Sequence, residues 1–133
     1  MAPLTLQQEL EPTLYRPVRA LAAGAHAEVI LVEHRELGGP SVMKLVHPKE
    51  EPLASELARR LRIEGRLLRS IHHENLLEVR DFGATKSGRA FLVTEFLSGR
   101  TLKDEVQARG PLPLAEALEV TAQILRGLAA AHE

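Results

Sequence analysis

The 133-residue chain contains no cysteine and no tryptophan. Without cysteine it cannot form disulfides, thiolate metal sites, iron–sulfur clusters or a cysteine nucleophile. Aromatic residues make up only 3% of the chain, which argues against a base-stacking surface for single-stranded nucleic acid. The core is therefore expected to consist of leucine, valine, isoleucine and alanine.

The chain also lacks an excess of either charge, with 17 basic and 18 acidic residues. A nucleic-acid partner is therefore not expected. No apolar run approaches the roughly 20 residues that span a bilayer, and residues 1–11 lack the basic start and apolar run of a secretory signal. Together with the absence of cysteine, these features predict a cytoplasmic chain without a membrane segment.

The composition, 44% hydrophobic and 26% charged, is that of one modest soluble domain. Apolar periodicity predicts alternating strands and helices, beginning with a short helix between Pro3 and Pro12 and an antiparallel meander of three strands. The predicted strands are 15–22, 28–33, 41–46, 76–82 and 90–95, and the predicted longer helices are 53–71, 101–109 and 114–132.

Two charged residues occupy apolar rows. Lys44 shares a strand face with Val42 and Val46, and Glu64 falls in the middle of the apolar stripe of the long helix. An unpaired carboxylate facing a core costs several kcal/mol, so the pattern predicts a buried ion pair between Lys44 and Glu64. The alternative is that both side chains lie on solvated faces of a differently packed fold.

The order of these features resembles the N-terminal lobe of protein kinases, in particular the bacterial serine/threonine type. The resemblance covers roughly residues 14–133, and it depends on the order of its motifs, since each alone is weak. The matching segments are the glycine loop at 21–29, the strand lysine at 42–44, helix C and the segment after it at 62–77, the hinge at 93–99, and helices D and E at 102–133.

This resemblance implies an α+β fold. It consists of a kinase-like N-lobe, with a five-stranded antiparallel sheet and helix C, then a hinge and two helices of an incomplete C-lobe. The implied divisions are an N-terminal extension (1–13), the N-lobe (14–95), the hinge (96–100) and the start of the C-lobe (101–133).

The resemblance also implies a binding site for ATP. Lys44 is expected to hold the α- and β-phosphates, Glu64 to orient Lys44, and Gly24 with its neighbouring amides to cover the phosphates. The residues expected around adenine are Leu21, Val29 and Val42 as the apolar roof, Thr94 at the back, and the Glu95 carbonyl and Leu97 amide as hydrogen-bonding groups.

The glycine loop departs from the family pattern. Ala22 and Ala27 stand where the first and third glycines are expected, which predicts weaker or less precise nucleotide binding because a Cβ keeps the backbone farther from the phosphates. His26 at the loop tip is expected to be solvated.

Two further motifs are expected to have no metal role. Asp81-Phe82-Gly83 spells the metal-binding DFG motif but precedes the hinge, so it is expected to close the fourth strand, with Gly83 as a turn residue. Adjacent side chains on a helix point about 100° apart, so His72 and His73 are expected to pack and cap a helix end.

The sequence contains no catalytic-loop motif, no later DFG and no activation loop. The ligands that the family uses for Mg²⁺ are therefore absent, and we expect negligible phosphoryl transfer by this chain alone. In the last helix, the row Val120, Ile124 and Leu128 is expected to be exposed unless the rest of a C-lobe or a second copy of the chain covers it.

Three functions stay open at this stage. The first is the ATP-binding part of a serine/threonine protein kinase, whose family reaction moves the γ-phosphate of ATP to a Ser or Thr hydroxyl of a protein substrate that the sequence does not identify. The second is a naturally shortened, pseudokinase-like module that binds a nucleotide or a protein. The third is a fragment of a small-molecule phosphotransferase.

Overall fold

The computed structural model describes residues 2–133, which form four helices and five strands. The helices are α1 (Leu6–Leu10), α2 (Leu53–Ser70), α3 (Leu102–Arg109) and α4 (Leu114–Ala131). The strands are β1 (Tyr15–Ala23), β2 (Ala27–His34), β3 (Pro40–Val46), β4 (Val79–Ala84) and β5 (Ala90–Glu95).

The strands form a single antiparallel sheet in the order β1–β2–β3–β5–β4. The predicted five-stranded sheet and helix arrangement are therefore confirmed. β4 starts at Val79, three residues later than predicted, because the segment before it makes a turn in which the Leu76 amide donates to the His73 carbonyl (3.0 Å).

The sheet carries an apolar cluster on each face. Side chains alternate between the faces with a period of two, so Phe91 and Val93 of β5 point to one face while Leu92 points to the other. The first cluster comprises Leu10, Tyr15, Ile30, Val32, Met43, Leu45, Phe91 and Val93. The second comprises Val46, Leu57, Leu61, Ala90 and Leu92, and it is where α2 packs.

The short helix α1 is tightly docked on the first face of the sheet. A capping box formed by Thr5 and Gln8 begins it. Leu10 is completely buried in the first cluster, and the Glu9 carboxylate accepts hydrogen bonds from the Ser87 amide (3.1 Å) and hydroxyl (2.7 Å) in the β4–β5 turn. The sequence predicts the helix but none of these contacts.

The last two helices follow the sheet. Thr101 caps α3 by accepting from the Asp104 amide (3.1 Å), and Gly110 ends it with a φ of 82°. α4 approaches the turn before β4 at Gly127, where an added Cβ would lie 2.8 Å from the Asn75 carbonyl oxygen. None of the helices within residues 2–133 has the combination of length and apolarity that crossing a bilayer requires.

The prediction for the exposed row of α4 is partly wrong. Ile124 and Leu128 are about half exposed, but Val120 is partly buried because it shares the inward stripe of Gly127. The exposed apolar row that the structure shows consists of Leu114, Leu118, Leu125 and Leu128.

Candidate functional site

Lys44 of β3 and Glu64 of α2 form the predicted ion pair, with 3.2 Å between Nζ and Oε2. The expectation that the pair is buried is wrong, since each side chain is 44% exposed. The reason is that α2 packs chiefly on β4 and β5 and leaves the neighbouring part of β3 open. An exposed pair of this kind contributes at most about 1 kcal/mol to stability.

The register of the sheet places most of the predicted site residues on one face. Lys44 lies directly opposite Val29 of β2 and Leu92 of β5, and Val42 lies opposite Thr94. Directly opposite residues of antiparallel strands project to the same side, so Val29, Val42, Lys44 and Thr94 share the face on which α2 packs. Leu21 lies near this group, at the irregularity in β1 between Ala20 and Ala22.

The loop between β1 and β2 is a closed hairpin turn. The Gly24 amide donates to the Ala27 carbonyl (2.8 Å), and the Gly24 carbonyl accepts from Nε2 of His47 (2.9 Å). The amides of Ala25 and His26 have no hydrogen-bond partner among residues 2–133. These two amides, rather than that of Gly24, are therefore available to an anion.

The two alanines in the loop cause no backbone strain. Ala22 and Ala27 lie in strands, and no residue other than glycine has a positive φ in the described part of the chain. An alanine is penalised only where φ is positive. The two alanines that stand in place of family glycines therefore add a methyl group beside the loop but do not strain its backbone.

The last residues of β5 are hydrogen-bonded to the residue that precedes β4. Thr94 is buried (7% exposed), and its hydroxyl donates to the Glu95 carbonyl (3.3 Å). The Glu95 amide donates to the Glu78 carbonyl (3.0 Å), and the Glu95 carboxylate accepts from the Glu78 amide (2.9 Å). Leu97 is 65% exposed, and its amide has no partner within residues 2–133.

The Asp81-Phe82-Gly83 motif belongs to β4 and has a structural role. Asp81 accepts hydrogen bonds from the Tyr15 hydroxyl (3.1 Å) and the Phe82 amide (2.8 Å). Burial, together with the Asp81 charge, raises the pKa of Tyr15 to about 12. The prediction that Gly83 is a turn residue is wrong, because Gly83 pairs with Phe91 inside the sheet.

Neither the histidine pair nor any other group suggests a metal centre in residues 2–133. His73 accepts a hydrogen bond from the Asn75 amide through Nδ1 (3.0 Å). This bond lies in the turn after α2, which ends at Ser70, so the expected capping of the helix end by His73 is wrong. No set of three or more His, Asp or Glu side chains in this part of the chain is arranged to hold a metal ion.

One residue that the sequence analysis missed connects the site to α1. Arg89, whose side chain is 12% exposed, donates to the Val46 carbonyl (2.9 Å) and pairs with Glu28 (3.1 Å) and, more distantly, Glu9 (3.9 Å). No local pattern predicts these contacts, since they join the β4–β5 turn to three segments that are remote in sequence.

The antiparallel sheet with α2 packed on one face and the strand lysine paired with a helix glutamate together define the N-terminal lobe of a protein kinase. A family model for the protein kinase domain matches residues 15–133, and the chain belongs to that family.

The similar proteins include bacterial serine/threonine kinases. Kinase pkn2 of Myxococcus xanthus is 36% identical over 119 residues, and kinase PrkC of Bacillus subtilis is 31% identical over 119 residues; each match covers 90% of this chain. The crystal structure of the Mycobacterium tuberculosis PknI kinase domain superposes with a TM-score of 0.75 at 26% identity, covering 96% of this chain. The chain spans 14% of pkn2, 18% of PrkC and 52% of that crystallised chain.

Proposed function

We propose that this chain forms the ATP-binding part of a serine/threonine protein kinase domain. The observation that carries the proposal is the contact between Lys44 and Glu64, which directs an ammonium group to the open face of β3 below the β1–β2 turn. A lysine held in this way is a point charge for phosphate oxygens. The serine/threonine kinase relatives support the assignment.

The residues of this chain fit the parts of ATP. Lys44 meets the α- and β-phosphates, Glu64 holds its ammonium group in place, and the free amides of Ala25 and His26 in the β1–β2 turn donate to phosphate oxygens. Leu21, Val29, Val42 and Thr94 would surround the adenine ring. The Glu95 carbonyl would accept a hydrogen bond from the ring, and the Leu97 amide would donate one to it.

Phosphoryl transfer requires groups besides these. Mg²⁺ neutralises charge on the phosphates when it is bound, and a carboxylate positions the attacking hydroxyl. The residues described here do not fit a metal site. We therefore propose that the 133-residue chain binds ATP without transferring its γ-phosphate. We also propose that groups outside these 133 residues recognise the protein substrate.

The test is a titration of the 133-residue chain with a fluorescent trinitrophenyl analogue of ATP. We expect Lys44→Met to weaken binding at least about tenfold, because a charge-assisted contact to phosphate is lost. Lys49→Met is the matched control, since it removes the same charge from the exposed segment after β3 and should leave the affinity unchanged.

Three results contradict the proposal. Equal affinities for wild type and Lys44→Met remove Lys44 from the site, and no binding by wild type removes the nucleotide from this chain. Incorporation of labelled γ-phosphate into casein or the chain itself contradicts the predicted absence of transfer.

A second candidate function is a pseudokinase-like module that binds a protein partner. It is favoured by the closed β1–β2 turn, in which the Gly24 amide is already bonded to Ala27 and alanines occupy positions 22 and 27. Under this alternative, wild type and Lys44→Met both fail to bind the ATP analogue. The third function, a small-molecule phosphotransferase, is less favoured, because the relatives pkn2 and PrkC are serine/threonine kinases.

A further inference from the structure

A side chain added at Gly65 of α2 would press on the sheet. The residue is buried in the helix, and a Cβ built on it would lie 2.8 Å from Cδ1 of Leu92. Carbon atoms in ordinary contact are about 3.5–4.0 Å apart. Leu92 is 1% exposed and belongs to the cluster of Leu57 and Leu61, so a Cβ at position 65 would require the Leu92 methyl group to shift within that cluster.

The use of glycine here has a packing explanation. Glycine is a poor helix former, and a glycine in a helix interior is commonly explained by packing or function. Apart from its two chain neighbours and its own helix backbone, the Leu92 side chain is the only group of residues 2–133 within 4 Å of a Cβ at Gly65. The absent Cβ therefore sets how closely α2 approaches β5.

The same helical turn carries the ion pair. Glu64 precedes Gly65, and Leu92 lies directly opposite Lys44 in the β3–β5 ladder. Lys44 and Leu92 therefore project side by side from the sheet, toward the two consecutive residues Glu64 and Gly65. A change in the distance between Gly65 and Leu92 is thus also a change in the distance between Glu64 and Lys44.

We propose that Gly65 is a positioning residue for the Lys44–Glu64 contact. It keeps α2 close enough to β5 for the Glu64 carboxylate to reach the Lys44 ammonium group at 3.2 Å. Its importance for nucleotide binding rests on the function proposed above, whereas its effect on the ion pair does not.

The test measures how fast the Lys44 side chain is acetylated by acetic anhydride, relative to the other lysines. Besides Lys44 the chain has only Lys49, Lys86 and Lys103. These serve as internal references, and mass spectrometry quantifies the acetylation of each lysine. An amine shielded by a carboxylate reacts more slowly. We expect Gly65→Ala to raise the Lys44 rate, relative to Lys49 and Lys103, about two- to fivefold, the range that corresponds to an exposed ion pair.

The rescue variant combines Gly65→Ala with Leu92→Val. It adds one carbon at position 65 and removes one at position 92, so the volume of the core stays the same. The Lys44 rate ratio should return to the wild-type value. Leu61→Ala, which lowers stability by leaving a cavity in the same cluster, should leave the ratio unchanged and thus separates positioning from general destabilisation.

A double-mutant cycle completes the test. Glu64→Gln should raise the Lys44 ratio by itself, and adding Gly65→Ala should raise it no further. The proposal is overturned by an unchanged ratio in Gly65→Ala, by an additive increase over Glu64→Gln, or by no rescue with Leu92→Val. If Gly65→Ala does not fold alone, a folded Gly65→Ala/Leu92→Val variant with the wild-type ratio supports the proposal, and failure of both variants to fold overturns it.

The acetylation measurement does not depend on whether the chain binds a nucleotide. If the wild-type chain fails to bind the ATP analogue, the proposed function fails, while the acetylation ratios still decide the role of Gly65. If wild type binds the analogue and Gly65→Ala alters the acetylation ratio, the same variant should also bind the analogue less tightly.

Discussion

At the scale of single residues, Glu9 is a nearly buried carboxylate whose ionised form the fold stabilises. Burial raises its pKa, but hydrogen bonds from Ser87 and the nearby Arg89 outweigh this effect, so the pKa of Glu9 lies below its ordinary value of 4.5. A carboxyl group whose pKa is lower in the folded chain stabilises the fold above its unfolded pKa. That contribution is lost as the pH falls through the folded pKa.

We therefore expect Glu9→Gln to lower the free energy of unfolding by about 1–3 kcal/mol at pH 7. The difference from wild type should shrink as the pH falls below 4.5. Urea denaturation between pH 3 and pH 7 measures it. Glu11→Gln is the matched control, because Glu11 is exposed and lies 3.8 Å from Lys86; a difference between Glu9→Gln and wild type that does not change with pH refutes the argument.

At the scale of single elements, β4 pairs with β5 at a position, Gly83, where an added Cβ would clash. A Cβ on Gly83 would lie 2.7 Å from Cζ of Phe91, which is 4% exposed and packs edge-on against Tyr15 with ring centroids 6.3 Å apart. The ring cannot retreat without displacing the core beneath α1. The absence of a side chain at Gly83 is therefore a condition for the β4–β5 pairing.

We expect Gly83→Ala to destabilise the fold by about 1–3 kcal/mol, since overpacking outweighs the smaller entropic advantage of alanine in a strand. Equilibrium unfolding in urea measures the change. Gly24→Ala is the control, because its Cβ would make only an ordinary 3.5 Å contact with the Ala27 carbonyl and should be nearly neutral for stability. A Gly83→Ala variant as stable as wild type would show that the ring moves aside.

The helices and strands also show which structural features could be predicted from local sequence patterns. β5 begins and ends where the sequence predicts, and α2 ends within one residue, because both have strong apolar periodicity. The sequence could not reveal the role of Gly83 or the docking of Glu9, since each depends on a partner far along the chain. The Lys44–Glu64 contact was predictable because both residues interrupt apolar rows. The exposure of this ion pair was not predictable from the sequence, because it depends on which strands α2 covers.

At the scale of the whole molecule, one surface stands out as unpartnered within the described residues. Leu114, Leu118 and Leu125 of α4 are 76%, 61% and 59% exposed. Their spacing of four and seven residues puts them, with Leu128, on one stripe of the helix. The opposite stripe, which contains Gly127, contacts the turn at Asn75. α4 is thus held on one side and presents a continuous apolar row on the other.

Contiguous apolar surface of this kind drives association. We expect the isolated 133-residue chain to self-associate in a concentration-dependent way in sedimentation equilibrium, and Leu118→Lys/Leu125→Lys to shift it to monomer without lowering its unfolding temperature. Leu37→Lys is the control, because Leu37 is 84% exposed but stands alone in the β2–β3 turn, so this variant should associate like wild type.

A monomeric wild-type chain at high concentration would mean that the row is too small to pair with a second copy. The remainder of a kinase C-lobe, added as a separate chain, would then be the covering partner to test by the same Lys substitutions.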